Sequence, residues 1–591
     1  MVNFRRSSYK LQNKCEVANF AQHRKYLIYF IALSILLGTL VYCFRWDGSA
    51  GSDWKSIIDG DGKGYYAYYE QIFFSKNFGR AAPDYDHIVK IGDRSLIKYQ
   101  CGTALVMAPF LLTAYLINDS TGDPYAAIYQ KSVSVAAVFY LLLGLIFLFL
   151  LLKQLKIRPL YILLSLTLTL FATNLLVYVV AQPDMSHVYS FAMISGFLWA
   201  SYCYIHNPKF TYLFLSAITL GIVYLIRPVN IIILFFIPFF FDNFGSFRFF
   251  IKQHTKQLIL FALITTGVMV IQNILWYVQC GQFFVWPYQN EGFYWTRPEI
   301  FNVLFSFRKG LFVYTPLLLL MFLSLAVLFM QNRFRFFISL IFLSLLTYII
   351  AAWWCWTYFD SYGMRPFIDF YGVFVILFAL LLNHLQKSWR MVILCCCLPL
   401  LALNLVQSYQ YHKKILSAEY MNYESYQHVF LKTSPAYIDC IGGSHDLIPY
   451  CNYAKQLIFS NTGAHQAGEQ MFGPGIEFGN AVRITNNDEL FRAKKMYAEI
   501  SFKKWDEKLM GSSRALFVTA VSYPGRSNAF YKVFRLDYLP GVAASQWNAF
   551  SYTLILPKIE ETTFEINMYI WNSASETFKI QDLEIKIYKT A

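Results

Sequence analysis

Long apolar runs separated by short basic or aromatic clusters fill residues 27–405, and past Gln407 the pattern changes to charged residues every few positions. The runs at 27–44, 132–152, 160–180, 188–204, 210–226, 229–241, 258–278, 311–330, 337–352, 367–382 and 391–405 predict about eleven membrane crossings. A further apolar piece, 102–117, is interrupted by Pro109 and reads as an interfacial helix that does not cross. Beyond residue 476, short alternating runs broken by Gly, Pro, Asn and Asp have the pattern of an antiparallel β-sandwich. In Tyr497-Ala498-Glu499-Ile500-Ser501-Phe502, Ala498, Ile500 and Phe502 are expected on one face, Glu499 and Ser501 on the other. The expected fold is therefore a polytopic α-helical membrane protein with a C-terminal all-β sandwich. Its parts are a cytoplasmic N-terminus (1–26), a transmembrane domain (27–407) with a first outer loop at 45–130, an extracytoplasmic connector (408–475) and the sandwich (476–591).

Composition sharpens this picture. Of 591 residues 57% are hydrophobic and 14% charged, with 56 Phe and 44 Tyr, which excludes an ordinary soluble domain. The formal charge of +15 comes largely from short clusters between apolar runs, so it sets membrane topology rather than pointing to nucleic acid. Arg5, Arg6, Lys10, Lys14, Arg24 and Lys25 precede the first run without a small-residue exit, as in a retained first span whose basic flank stays inside. An odd number of crossings then leaves the C-terminus outside. The eleven cysteines show no metal-ligand spacing, and Cys440 with Cys451 is the pair suited to a disulfide.

The chemistry-bearing stretch is Ile58-Asp59-Gly60-Asp61-Gly62-Lys63-Gly64-Tyr65-Tyr66-Ala67-Tyr68-Tyr69, which the topology places outside the membrane. Two carboxylates on a glycine-rich backbone, followed by tyrosines, could hold a reacting hydroxyl against a base: Asp61 is the first candidate, Asp59 the second, and Tyr65 and Tyr66 are substrate contacts. Two blander readings stand beside this one. The stretch fits a solvated turn, and it fits part of an EF-hand pattern, although Lys63 falls where an oxygen ligand is needed. Arg227, Arg308, Lys309 and Arg365 lie at outer span ends, where basic residues are disfavoured; converging there, they would suit a lipid phosphate, or they bind bulk lipid. Asp184, His187, Glu291, Asp360 and Asp369 occupy similar positions, suited to sugar hydroxyls or to a divalent cation for which spacing assures no third ligand. Asp184 and His187, three apart, are expected to share a helix face.

The motifs Asp61-Gly62-Lys63-Gly64-Tyr65, Lys98-Tyr99-Gln100-Cys101-Gly102-Thr103-Ala104, Ile226-Arg227-Pro228, Phe305-Ser306-Phe307-Arg308-Lys309-Gly310-Leu311 and Gly363-Met364-Arg365-Pro366-Phe367-Ile368-Asp369 carry a resemblance. Over residues 25–407 the chain resembles the GT-C class of membrane glycosyltransferases, whose members include protein O-mannosyltransferases, aminoarabinose transferases of lipid A and bacterial mannosyltransferase-like proteins. It departs from them at Asp61-Gly62, where relatives often have Asp-Glu, and at Gln100-Cys101, where many have Pro-Pro. The resemblance implies an inverting transferase in a bacterial inner membrane. It would take sugar from a polyprenyl-phosphate donor to a protein, lipid or glycan acceptor, with Asp61 as base. The sandwich, outside that span and periplasmic by the topology, is expected to have an acceptor-positioning or structural role. Two other classes are weighed against it: a transporter of lipid-linked sugar, whose characteristic internal repeat is not visible, and a membrane anchor for a sugar-binding exodomain.

Overall fold

The computed structural model describes residues 24–47, 53–80, 87–118, 122–288, 291–359, 361–417, 421, 423–434, 455–461, 468–486, 496–506, 515–536, 545–556, 559, 563–572 and 575–590. Asp360, Cys440 and Cys451 lie outside them. The chain divides into two compact units, Met1–Tyr358 with Tyr362–Ser408, and Phe359–Ser361 with Tyr409–Ala591.

The first unit is helical. Among the described residues, seven helices are long and apolar enough to cross a membrane: Arg24–Asp47, Ala127–Gln154, Ser186–His206, Thr255–Cys280, Arg333–Ala352, Arg365–His384 and Lys387–His412. The chain is a multi-pass membrane protein. Ser186–His206 and Arg365–His384 are buried over most of their length, whereas Arg24–Asp47 and Thr255–Cys280 expose theirs, so the first two form the centre of the unit.

The other four runs read as spans are short or broken, each for a visible reason. The 160–180 run is split into Pro159–Phe171 and Leu175–Val180; at the break, Asn174 donates to the Tyr362 carbonyl and accepts from Tyr371. The 311–330 run becomes three short helices, the first ending ahead of Pro316. Phe210–Ile226 stops at Arg227-Pro228, and the following Pro228–Phe240 is a 3₁₀-helix. A turn of 108° then leads into Phe244–Gln253, whose Asn243 and Ser246 form a reciprocal cap. Arg227 and Asn230 are thus presented at an interruption, where a polar backbone and two polar side chains have partners.

Between the Asp61–Tyr69 and Gly102–Ile117 helices, an antiparallel hairpin pairs Ile88–Ile91 with Arg94–Ile97 around Gly92-Asp93, Gly92 taking a positive φ of 59°. Val89 and Leu96 pack on Trp276 of the Thr255–Cys280 helix, which fixes the hairpin and, immediately after it, Lys98 and Tyr99.

The second unit contains two antiparallel sheets. One runs in the order Val482–Asn486, Phe564–Trp571, Leu516–Tyr523, Arg526–Arg535; the other runs Lys455–Ser460, Phe578–Thr590, Met496–Asp506, Trp547–Leu556, with Gln470–Phe472 also paired to Phe578–Thr590. Ile484, Phe517 and Ile566 from the first sheet and Ile500, Leu554 and Ile585 from the second share one core, which makes this a sandwich. Ala498, Ile500 and Phe502 face that core as the alternation predicts. The sheets extend upstream of the expected boundary at 476, because the short segments 455–460 and 470–472 complete the edge beside Phe578–Thr590.

Candidate active site

The Asp61–Tyr69 helix begins on Gly60, whose φ of 50° is a left-handed value that suits glycine. Its next two glycines are fixed by close approach. A Cβ at position 62 would sit 1.8 Å from Asp184 Oδ2, and one at 64 would sit 2.1 Å from the Tyr99 ring. Asp184 is buried and its Oδ2 accepts the Asp59 N–H at 3.0 Å, so this carboxyl holds the loop from beneath.

The tyrosines that follow are anchors. Tyr65 donates to Ser186 Oγ at 3.2 Å, Tyr66 to the Pro124 carbonyl, Tyr68 to the Tyr99 carbonyl and Tyr69 to the Leu111 carbonyl. All four are buried. Four satisfied hydroxyls on nine residues of helix tie it to every neighbouring element, which is what a rigid platform for Asp61 requires.

Asp61 carries two strong hydrogen bonds. Tyr99 donates to Oδ1 at 2.6 Å and Arg365 Nη2 donates to Oδ2 at 2.7 Å, the latter from 304 residues away in sequence. Burial alone would push the Asp61 carboxyl up, but the Arg365 guanidinium and the Tyr99 hydroxyl outweigh it and hold Asp61 below its usual range. Tyr99 itself is pushed above the ordinary phenol value by burial and by the adjacent Asp61, and stays a neutral donor.

Behind this pair is a second network. His187 Nδ1 lies 2.7 Å from Asp369 Oδ1, and Asn230 donates to Asp369 Oδ2 at 2.6 Å and to Ser190 Oγ at 2.7 Å. Arg227 Nη1 stands 3.2 Å from His187 Nδ1 and 3.7 Å from Asp369 Oδ2. With its proton on Nδ1, the His187 ring donates to Asp369 and keeps a lone pair on Nε2. His187, Arg227 and Arg365 all lie within electrostatic range of one another.

The sequence-derived residues separate into groups. Asp61, Arg365, His187 and Arg227 converge, joined by Tyr99, Asp369 and Asn230. Asp59 turns outward to Lys63 at 2.7 Å, with 65% of its side chain exposed, so it stands apart from Asp61. Asp184 and His187 do not share a helix face: the helix starts at Ser186, Asp184 precedes it and faces the loop. Glu291 accepts from Lys98 at 2.6 Å, and Lys98 lies over the Tyr288 ring, which in turn packs on Tyr99. Arg308 stacks on Trp356, and Lys309 is buried. Among the described residues no three His, Cys, Asp or Glu side chains form a group that could hold a metal ion. Asn230 was readable in principle, since an amide two residues past Arg227-Pro228 inside an apolar run is costly unless it is used.

No protein family model and no curated protein matches the sequence. Among the solved structures that match is the single-particle cryo-EM structure of the arabinosyltransferase EmbB from Mycobacterium smegmatis, at 9% identity and a TM-score of 0.34, matched over 95% of this chain and 64% of that one. The chain therefore spans less than two thirds of that protein's length.

Asp184 gives a test of the loop's support. Burial pushes its carboxyl up from 3.8 to about 7. A carboxyl whose pKa is raised by folding makes its best contribution below the unfolded value, and that contribution is lost as pH rises through the folded one. Between about pH 4 and pH 7 the natural chain should therefore lose stability relative to Asp184→Asn, on the order of a few kcal/mol, because the amide keeps the acceptor for Asp59 without the charge. Melting temperatures of both proteins across that range check this; parallel curves would contradict it.

Proposed function

We propose that this protein is an inverting glycosyltransferase of the GT-C type, which uses a polyprenyl-phosphate-linked sugar at the outer face of a bacterial inner membrane. The observation that carries the reading is the Asp61 carboxylate, set at the start of a rigid helix and facing Arg365, with Arg227 and His187 in the same charged cluster. A carboxylate beside fixed cations is what displacement of a lipid phosphate by a hydroxyl needs. The acceptor oxygen attacks the anomeric carbon, its proton passes to Asp61, and the carbon–oxygen bond to phosphate breaks with its electron pair leaving on the phosphate. Arg227 and Arg365, with Arg308 and Lys309, offset that charge. His187, held by Asp369, presents Nε2 to a sugar hydroxyl; Glu291 and Asp360 are assigned to the same recognition. Tyr65, Tyr66 and Asp184 act through the platform beneath Asp61. The sandwich, with Trp547 partly exposed and Trp571 stacked parallel to Phe478, positions the acceptor and supplies no reacting group.

Purified protein in vesicles containing a polyprenyl-phosphate sugar tests this against the transporter reading. New glycoside, with anomeric configuration opposite to the donor's, is the expected result. Movement of labelled donor across the bilayer with no glycoside formed from a panel of acceptors would overturn it.

A further inference from the structure

Arg365 is poorly satisfied for a buried guanidinium. Only 8% of its side-chain surface is exposed, yet of its three nitrogens one meets a carboxylate: Nη2 donates to Asp61. Nη1 reaches the thioether of Met185 at 3.3 Å, a weak acceptor, and among the described residues nothing accepts from Nε. A guanidinium satisfies two edges when it meets a tetrahedral oxyanion, and leaving buried donors unmet costs about 1–3 kcal/mol each. Asp61 has the complementary problem. Each of its oxygens already accepts one hydrogen bond, Oδ1 from Tyr99 and Oδ2 from Arg365, so the carboxylate that is to take a hydroxyl proton is weakened as a base by a full ion pair.

We infer that Arg365 serves two anions in turn: paired with Asp61 it weakens the base until the donor's phosphate draws the guanidinium away, so the carboxylate takes a proton readily only once lipid phosphate is in place. This rests on the proposed glycosyl transfer and adds an order of events to it. Oδ2 is the oxygen released, while the Tyr99 bond to Oδ1 keeps the carboxylate aimed. Arg227, with 22% of its side chain exposed and its charge near Arg365, makes the incoming phosphate the stronger competitor.

The test is a thermodynamic cycle on the full chain in nanodiscs, with farnesyl phosphate as the phosphate probe and farnesol as the control for its tail. If Asp61 occupies Arg365 most of the time, Asp61→Asn should bind farnesyl phosphate about tenfold more tightly than the natural chain, since the competent fraction rises toward one. Arg365→Gln should bind it more weakly, and adding Asp61→Asn to Arg365→Gln should recover nothing. Tyr99→Phe, which leaves the ion pair intact, should show no gain, and melting temperatures confirm that each variant is folded. A gain that persists without Arg365 would mean simple relief of repulsion and would overturn the inference. So would unchanged binding by Asp61→Asn with loss in Arg365→Gln, which would leave Arg365 as a phosphate ligand and the proposed transfer intact. Equal binding by all these proteins, together with no glycoside formed by the natural chain, would remove the transfer reading itself.

Discussion

An Asp61→Asn protein should fold and should form glycoside at least about a hundredfold more slowly than the natural chain. The amide is isosteric and keeps an oxygen for the Tyr99 hydroxyl or for Arg365 Nη2, so the platform of the Asp61–Tyr69 helix survives. What disappears is the proton acceptor. Because the Arg365 guanidinium and Tyr99 hydroxyl hold Asp61 below the usual carboxylate range, the natural protein keeps its base ionised throughout the physiological range. The same shift has a stability sign: the contribution of Asp61 to folding is present above its unfolded value and is lost as pH falls through the lower folded one. Turnover and melting temperature measured side by side separate the two effects. A folded Asp61→Asn protein with undiminished turnover would end the assignment of the base.

The second large effect is expected at Asp369, and it falls on stability. This carboxylate is fully buried and accepts from Asn230 on one oxygen and faces His187 on the other, with Arg227 beyond. Asp369→Ala would leave an amide, a ring N–H and a guanidinium without their acceptor in the centre of the bundle. Removing one partner from a buried charged network costs about 3–5 kcal/mol, more than most single substitutions. Asp369→Asn should cost less, because an oxygen remains for one donor, but the tautomer of His187 would no longer be fixed. Thermal unfolding of both variants in the same detergent checks the order; equal melting temperatures for Asp369→Ala and the natural chain would show that the network is not structural.

Much of the scaffold was legible in the apolar pattern, for a physical reason: a helix in lipid must satisfy its own backbone, so its sequence declares it. The sandwich announced itself through the period of two in segments such as 497–502. The broken spans were harder, because a break is stabilised by distant partners. Asn174 interrupts the 160–180 run in order to meet Tyr362 and Tyr371, and nothing local foretells those contacts. The site was legible in pieces. Asp61, Arg227 and Arg365 stand out singly because charge beside an apolar run demands an explanation. Their convergence does not stand out, since period and hydropathy describe each helix alone and the Asp61–Arg365 pair joins residues 304 apart. In the tyrosine run, the anchoring contacts are not legible either: the Tyr65 hydroxyl donates to Ser186 and that of Tyr66 to the Pro124 carbonyl. Nor does sequence disclose that the Asp184 carboxyl fills the space that Gly62 leaves open.

The most direct test of the central claim is a structure of the Asp61→Asn protein with a polyprenyl-phosphate sugar bound. The account predicts the phosphate between Arg227 and Arg365, with residue 61 on the opposite face of the sugar within reach of an acceptor hydroxyl, about 3 Å from its oxygen. A donor whose phosphate lies away from both arginines, or whose anomeric carbon is turned away from residue 61, would contradict it.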